Sequence, residues 1–203
     1  AWRNADSTWM RERRLTGTNQ KPQDDAWSSI DITSLRIRQG DSDTRDVRSL
    51  ARFSAPDDGN MRVLSRVGTP AQKEKWLRPI VEGRVRSSFA MTEPAPGGGS
   101  DPGMIKTRAE KKGGKWVISG RKWFITGADG AAHFILIACT SDDQRKGLTA
   151  FLFHKDQPGW RILRRIHIMG PEEHGGHCEL EFDGLEVNEE NVLMNVGDGL
   201  KLC

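Results

Sequence analysis

The sequence predicts a mainly β chain of the α+β class, in which a short helical segment precedes an antiparallel β-barrel or sandwich. Its length, 203 residues, allows one large domain or one domain and part of another. After residue 86, short segments rich in β-branched and aromatic residues are separated by turn residues and show no helical periodicity. Before that point, capping residues mark the starts of two helices. We therefore expect a helical segment over residues 56–86 and a β domain over 87–190.

The composition is that of a folded protein and excludes several classes of function. Hydrophobic residues make up 35% of the chain, which also has 22 glycines, as is usual in globular domains. No apolar run approaches the ~18 residues of a membrane-spanning helix, so we expect no integral membrane segment. The 31 basic and 28 acidic residues are interspersed and leave a net charge of +3, so nucleic acid is not an expected partner.

The cysteines and the first residues bear on the cellular compartment. Cys139, Cys178 and Cys203 are odd in number and far apart, so a reducing compartment fits better than a disulfide framework. No apolar stretch of a signal peptide follows Ala1, so none is expected. We expect the cytoplasm if the protein is bacterial, and otherwise the mitochondrial or peroxisomal matrix.

Residues 1–55 do not show the pattern of a folded element. Polar and charged residues dominate, and the tryptophans Trp2, Trp9 and Trp27 are isolated. No period of about 3.6 or 2 residues persists beyond a few positions. We expect this segment to be poorly ordered or to belong to no recognisable domain.

The first predicted helix follows a pair of acidic residues. Asp57 or Asp58 can cap a helix over residues 60–66, because a carboxylate accepts the free amide hydrogens of a first turn. Gly68 is expected to end this helix, since glycine tolerates the backbone conformation of a helix terminus.

A second helix has a clearer start. Thr69 can be its N-cap, Pro70 its first residue and Gln72 the third residue of a capping box. Pro79 lacks a backbone donor, so we expect a kink or a new turn there. Gly83 is expected to terminate the helix.

Eight short strands are expected after the helices. Their spacing favours an antiparallel barrel or sandwich over alternating strands and helices. Turn residues such as Gly113-Gly114 and Ser119-Gly120 separate them. The predicted strands span residues 87–93, 105–110, 115–119, 122–126, 133–139, 148–154, 160–168 and 178–182.

A glycine-rich loop follows the first predicted strand. Three successive glycines at 97–99 let the backbone approach a ligand closely, since no side chain obstructs it. Exposed amides there, with the hydroxyls of Thr92 and Ser100, suit an acceptor-rich ligand such as a flavin ring edge or a phosphate. The alternative is a flexible hairpin tip. No phosphate-binding P-loop is present, because no Gly-Lys-Ser/Thr follows.

Two adjacent aromatic residues on a later strand form a second candidate site. Trp123 and Phe124 are expected to point to opposite faces of the sheet, so one can pack in the core while the other stays available for stacking. The alternative is that both are ordinary strand aromatics.

Histidines and a cysteine near the end of the β domain are possible zinc ligands. Their spacing matches no standard zinc motif, and the segment is rich in Gly and Pro, so we expect no metal site. The set comprises His167, Glu172, Glu173, His174, His177 and Cys178.

Glu93 and Asp101 flank the glycine-rich loop and are candidate general bases. Glu93 immediately precedes Pro94, however, and the simpler role for it is to tie the loop down. No Ser-His-Asp or Cys-His arrangement of a nucleophilic enzyme can be recognised in the sequence.

Several of these segments together resemble the acyl-CoA dehydrogenase family. They occur in the family's order over about residues 56–203. The loop before Ser100 and the histidine-containing segment after Gly170 look more similar to the long-chain, multidomain-type branch. The motifs are Pro56-Asp57-Asp58-Gly59-Asn60-Met61, Gly68-Thr69-Pro70, Gln72-Lys73-Glu74-Lys75-Trp76-Leu77, Met91-Thr92-Glu93-Pro94, Gly99-Ser100-Asp101, Ile105-Lys106-Thr107, Gly120-Arg121-Lys122-Trp123-Phe124-Ile125-Thr126 and Val187 with Asn191-Val192-Leu193.

The resemblance implies an N-terminal helical domain, a middle β-barrel and a C-terminal helical bundle. Residues 56–86 would be the end of the first, and 191–203 the start of the last. It also implies FAD as cofactor, an acyl-CoA substrate, an electron-transferring flavoprotein as electron acceptor, and a homo-oligomer, either a dimer or a tetramer. Such enzymes oxidise acyl-CoA to trans-2-enoyl-CoA in fatty acid β-oxidation, with a carboxylate removing the α-proton and the flavin accepting a hydride.

By their positions in the family motifs, ten residues are expected to line the cofactor. Thr92 would donate a hydrogen bond to the flavin, and Ser100 would contact either the flavin or the acyl-CoA. Phe124 stands at the position of the family's flavin-stacking tryptophan. The ten are Phe89, Ala90, Met91, Thr92, Gly99, Ser100, Trp123, Phe124, Ile125 and Thr126.

The same resemblance leaves the catalytic base unassigned. The family's carboxylate usually lies on the C-terminal helical bundle, which this sequence lacks, so we expect the base beyond Cys203 and the 203-residue chain to be inactive by itself. Two alternatives are an acyl-CoA oxidase or flavin monooxygenase on the same scaffold, and a non-catalytic fragment that binds flavin or acyl-CoA.

Overall fold

The computed structural model describes residues 56–143, 147–168 and 176–203. The expectations for residues 1–55, and for Glu172, Glu173 and His174, lie outside the described residues. No helix in the described ranges is long and apolar enough to cross a membrane.

The first helix, α1 (Asp57–Val67), begins three residues earlier than expected, and its N-cap is Pro56. The expectation that an aspartate side chain caps it is wrong, because no side chain makes the cap hydrogen bond. The Asp57 carboxylate is buried and faces the first strand instead. It accepts hydrogen bonds from the backbone amide and the hydroxyl of Ser87, at 2.6 and 2.7 Å, and pairs with Arg86.

The second helical stretch confirms its predicted start. Thr69 and Gln72 form a capping box, with the Gln72 amide donating to Thr69 Oγ1 at 3.2 Å and the Thr69 amide donating to Gln72 Oε1 at 3.1 Å. The stretch consists of α2 (Pro70–Gln72), a π-helical turn (Lys73–Leu77) and α3 (Arg78–Val81).

The break expected at Pro79 takes the form of that π-helical turn just before it. Pro79 has no N–H to continue the α-helical hydrogen bonds, which explains a wider turn at this point. Gly83, at φ 67°, ends the helix as expected, and the Arg84 amide donates to the Pro79 carbonyl at 2.9 Å.

Eight strands in the described part of the chain form one sheet, so the mainly β architecture with a short helical segment is confirmed. The hydrogen-bonded order is β6-β7-β3-β2-β4-β5-β8, with β1 also paired to β4. Most pairs are antiparallel, but β1 and β2 each run parallel to β4. The strands are β1 (Arg86–Ala90), β2 (Arg108–Lys112), β3 (Lys115–Thr126), β4 (Ala131–Cys139), β5 (Leu148–His154), β6 (Trp160–Ile166), β7 (His177–Asn188) and β8 (Val192–Leu193).

Two of the predicted strands, 115–119 and 122–126, are a single strand, β3, so the turn expected at Ser119-Gly120 is wrong. Gly120 stays within the strand at φ 148°, beside a register shift against β7. A Cβ at this position would lie 2.6 Å from Thr107 Oγ1, so the glycine permits close approach of two backbones rather than a chain reversal. Strand β7 is correspondingly longer than predicted, because it pairs along the whole of β3.

The buried apolar residues form two clusters on the two faces of β4. Phe134, Leu136 and Ala138 belong to the first cluster, which lies among the strands. Ile135 and Ile137 belong to the second, which packs against the helices. Because side chains alternate across a strand, a strand with both faces covered reads as a continuous apolar run, as β4 does.

Candidate functional site

The structure brings together two segments that the sequence analysis singled out separately. The end of β1 and the residues just after it lie beside the end of β3. The Trp123 amide donates to the Thr92 carbonyl at 3.0 Å, and the Thr92 hydroxyl donates back to the Trp123 carbonyl. The Ser88 hydroxyl donates to the Thr126 carbonyl at 2.7 Å. We call the surface formed by residues 89–92 and 123–126 the strand-end surface.

A β-bulge in β3 exposes one aromatic side chain on this surface. The register with β7 shifts between Lys122 and Ile125, and Phe124 takes φ 52°. This conformation is strained for a bulky residue, at a cost on the order of 1–2 kcal/mol. The bulge also overturns the expectation of opposite faces, since the Trp123 and Phe124 rings touch edge to face at 5.0 Å. Phe124 remains 45% exposed and is therefore accessible for stacking.

The remaining predicted cofactor residues divide by burial. The side chains of Ala90 and Ile125 are buried in the first cluster, so only their backbones can take part in the strand-end surface. Phe89 and Met91 pack against the second cluster. In the ranges that the structure describes, the backbone amides of Met91 and Thr92 donate to no acceptor, which leaves two donors for a ligand.

The glycine-rich loop folds back onto the chain just after the strand-end surface. Glu93 and Gly99 form an isolated β-bridge, in which the Glu93 amide donates to the Gly99 carbonyl at 3.0 Å. Gly99 has φ 63°, a conformation that favours glycine, and Ser100 beside it is exposed. The loop is therefore pinned at its base, while Ser100, the predicted contact for substrate, is exposed.

Glu93 ties this loop down, which confirms the simpler role expected for it. Its carboxylate accepts hydrogen bonds from the Lys106 amide at 2.6 Å, and from the Thr107 amide at 3.0 Å and hydroxyl at 2.5 Å. Burial by itself raises the pKa of Glu93, but Lys122 and these hydrogen bonds outweigh it and hold the pKa below its ordinary value. The other candidate base, Asp101, caps a short turn by accepting from the Gly103 amide at 2.8 Å.

The partner of Glu93 is a lysine that sequence reasoning missed. Lys122 is fully buried, and its ammonium donates to Glu93 Oε1 and to the Met91 carbonyl, both at 2.8 Å. Burial lowers the pKa of Lys122 to about 8, and Glu93 opposes the fall. A signal was present in the sequence: Lys122 follows Trp116 and Ile118 at even spacing on one strand, and a charge at such an inward position needs a buried partner.

A second missed residue, His177, lies at the edge of the strand-end surface. Its Nδ1 is 3.1 Å from the Thr126 hydroxyl, and its ring centroid is 6.2 Å from that of Phe124. From the sequence, His177 is expected only as a possible metal ligand, together with Cys178, which is buried in the first cluster. Among the described residues, no group of three or more potential metal ligands is present.

Comparisons of the sequence and of the structure with known proteins find matches in the same family. Residues 88–185 match the sequence model of the acyl-CoA dehydrogenase middle domain. The probable acyl-CoA dehydrogenase FadE2 of Mycobacterium tuberculosis is 37% identical over 154 residues, which cover 74% of this chain and 38% of that protein.

Solved structures of proteins similar to these also superpose on this chain. Butyryl-CoA dehydrogenase from Megasphaera elsdenii superposes with a TM-score of 0.69 at 31% identity, over 76% of this chain and 42% of that one. The FAD complex of PigA superposes with a TM-score of 0.67 at 28% identity, over 78% of this chain and 41% of that one. The chain thus spans about two fifths of the length of these relatives.

Proposed function

Since the chain belongs to the acyl-CoA dehydrogenase family, we propose that the strand-end surface receives the isoalloxazine ring of FAD. The observation that carries this proposal is Phe124, an exposed aromatic side chain held in a strained bulge beside Thr92. Strain of this kind persists where the surrounding structure enforces it, and it is concentrated at ligand sites.

The chemistry of the surface fits a flavin. Phe124 offers a ring face or edge for stacking, and aromatic rings in contact favour offset or edge-to-face geometry. The free amides of Met91 and Thr92 are donors, and the rim of a flavin presents carbonyl oxygens and ring nitrogens as acceptors. The hydroxyl of Thr126 lies on the same surface and can exchange a further hydrogen bond.

The proposed reaction is the α,β-dehydrogenation of an acyl-CoA thioester to the trans-2-enoyl-CoA, as in fatty acid β-oxidation. Bound FAD supplies the hydride acceptor for the β-hydrogen of the substrate. Ser100, exposed at the rim of the glycine-rich loop, is the proposed contact for the acyl-CoA. An electron-transferring flavoprotein is the proposed acceptor of the electrons, and a dimer or tetramer the proposed assembly.

Neither of the two candidate carboxylate bases, Glu93 and Asp101, is placed to take the α-proton of a substrate. Glu93 is held by an ammonium group and three hydrogen bonds, and Asp101 caps a turn. We therefore propose that a carboxylate on the family's C-terminal helical bundle acts as the base, and that the 203-residue chain holds flavin without dehydrogenating acyl-CoA.

The test is to titrate the purified chain with FAD, following flavin fluorescence and the visible absorption, and then to add butyryl-CoA or palmitoyl-CoA without oxygen. We expect FAD to bind and its absorption to stay unbleached. A chain that leaves FAD fluorescence unchanged contradicts the proposed site. Bleaching by either substrate contradicts the assignment of the base, and rapid reoxidation of that flavin by air then favours an oxidase or monooxygenase.

A further inference from the structure

His177 is placed to act on the proposed flavin site through a neighbour. It is the first residue of β7, where it pairs with Thr126 on one side and with Ile166 on the other. The Gly127 amide donates to the Gly176 carbonyl at 2.9 Å, which fixes the backbone on both sides of this contact. The half-buried imidazole thus has a defined position next to the strand-end surface.

We propose that His177 is a positioning residue, which orients the hydroxyl of Thr126 toward the flavin. This inference deepens the proposed function and rests on it. A threonine hydroxyl rotates freely and can donate one hydrogen bond and accept two. The 3.1 Å contact with His177 Nδ1 removes that freedom, because it engages either the hydroxyl proton or one lone pair. What remains of the hydroxyl, either its proton or a lone pair, is thereby restricted in the directions in which it can meet a bound flavin.

A second contact links His177 to the exposed aromatic residue. The His177 and Phe124 rings meet edge to face, with centroids 6.2 Å apart and planes at 60°. Phe124 is the strained residue of the bulge, so a neighbouring ring limits the directions in which its side chain can turn. Two of the four residues that β3 contributes to the surface, Phe124 and Thr126, therefore contact one side chain of β7.

The hydrogen bond and the ring contact can be separated by substitution. His177→Phe keeps an aromatic ring against Phe124 but removes Nδ1. Thr126→Val keeps the shape of the side chain but removes the hydroxyl. If His177 acts through Thr126, the two changes affect the same interaction and must be non-additive in a double-mutant cycle.

The experiment measures the FAD dissociation constant and the position of the flavin absorption band for the 203-residue chain and its variants. Loss of one oriented hydrogen bond is expected to weaken FAD binding about three- to tenfold in each single variant. The double variant should bind no more weakly than Thr126→Val alone. His177→Asn, whose side chain reaches the place of Nδ1, should restore binding to within about twofold, whereas His177→Gln should not.

The control is His154→Phe, a half-exposed histidine whose Nδ1 accepts from the Asp156 amide at 3.3 Å, outside the strand-end surface. This substitution should leave both the FAD dissociation constant and the position of the flavin absorption band unchanged. Additive effects of His177→Phe and Thr126→Val, or equal behaviour of the Asn and Gln variants, would overturn the inference and leave the proposed function intact. Failure of the unaltered chain to bind FAD would overturn the proposed function, and this inference with it.

Discussion

Glu93 and Lys122 form an ion pair from which water is excluded, since the two residues are only 2% and 0% exposed. Through the Met91 carbonyl, the same lysine also holds the chain at the strand-end surface. The pair therefore joins the glycine-rich loop, the end of β1 and the middle of β3 at one point. Removing one partner of such a pair leaves an uncompensated buried charge, at a cost of about 3–5 kcal/mol.

Glu93→Gln should therefore lower the free energy of unfolding by about 3 kcal/mol near neutral pH. Urea unfolding followed by circular dichroism measures this change. The control is Glu186→Gln, which removes an exposed pair with Lys115 and should cost no more than about 0.5 kcal/mol. Equal effects of the two substitutions would show that burial does not strengthen the Glu93 interaction.

The stability that Glu93 contributes should depend on pH in a definite direction. Because its pKa in the folded chain lies below the ordinary value of 4.5, the contribution is complete above that value and is lost as the pH falls through the folded pKa. The difference in unfolding free energy between the unaltered chain and Glu93→Gln should thus be present near pH 6 and shrink below about pH 4.5. A difference that grows in acid would contradict the lowered pKa.

At the scale of elements, α1 is joined to β1 by polar contacts as well as by apolar packing. Asp57 accepts two hydrogen bonds from Ser87 and pairs with Arg86, while the Asn60 amide group donates to the Ser87 hydroxyl at 2.9 Å. Asp57, Asn60 and Ser87 are buried, so their polar groups must keep their partners or the fold loses stability.

Asp57→Ala should loosen this junction, because it removes the acceptor of the buried Ser87 amide and hydroxyl. We expect a loss of about 2–3 kcal/mol in unfolding free energy, with faster hydrogen exchange of the α1 amides. Asp58→Ala is the matched control, because in the described part of the chain that carboxylate pairs with Arg62 at an exposed position of the same helix. If the α1 amides exchange hydrogen equally fast in Asp57→Ala and Asp58→Ala, the buried contacts of Asp57 do not hold the helix in place.

The elements differ in how far local sequence determines them. The capping box of Thr69 and Gln72 was predicted correctly because its interactions lie within four residues. The turn at Ser119-Gly120 was predicted wrongly because local turn chemistry was overridden by pairing with β7, more than 60 residues away. Family motifs predict the segments proposed to line the cofactor, but Lys122 and His177 were missed, since their partners are distant in sequence.

At the scale of the whole molecule, the strand-end surface belongs to a sheet whose central strand β4 is covered on both faces. Helices and the second cluster cover one face of β4, and the first cluster fills the space among the strands. The strand-end surface lies where β1 ends and β3 bulges. There an exposed aromatic ring, two backbone amides that have no acceptor among the described residues, and the Thr126 hydroxyl are presented together. This arrangement rests on both the bulge and the buried ion pair behind it.

The most direct test of the central claim compares FAD binding by the unaltered chain, Phe124→Ala and Val196→Ala, with flavin fluorescence as the reading. Both side chains are exposed, at 45% and 53%, but Val196 lies after β8, outside the strand-end surface. Loss of an aromatic stacking partner should raise the dissociation constant about tenfold in Phe124→Ala, while Val196→Ala should stay within about twofold of the unaltered chain. Equal affinities in all three proteins would contradict the account.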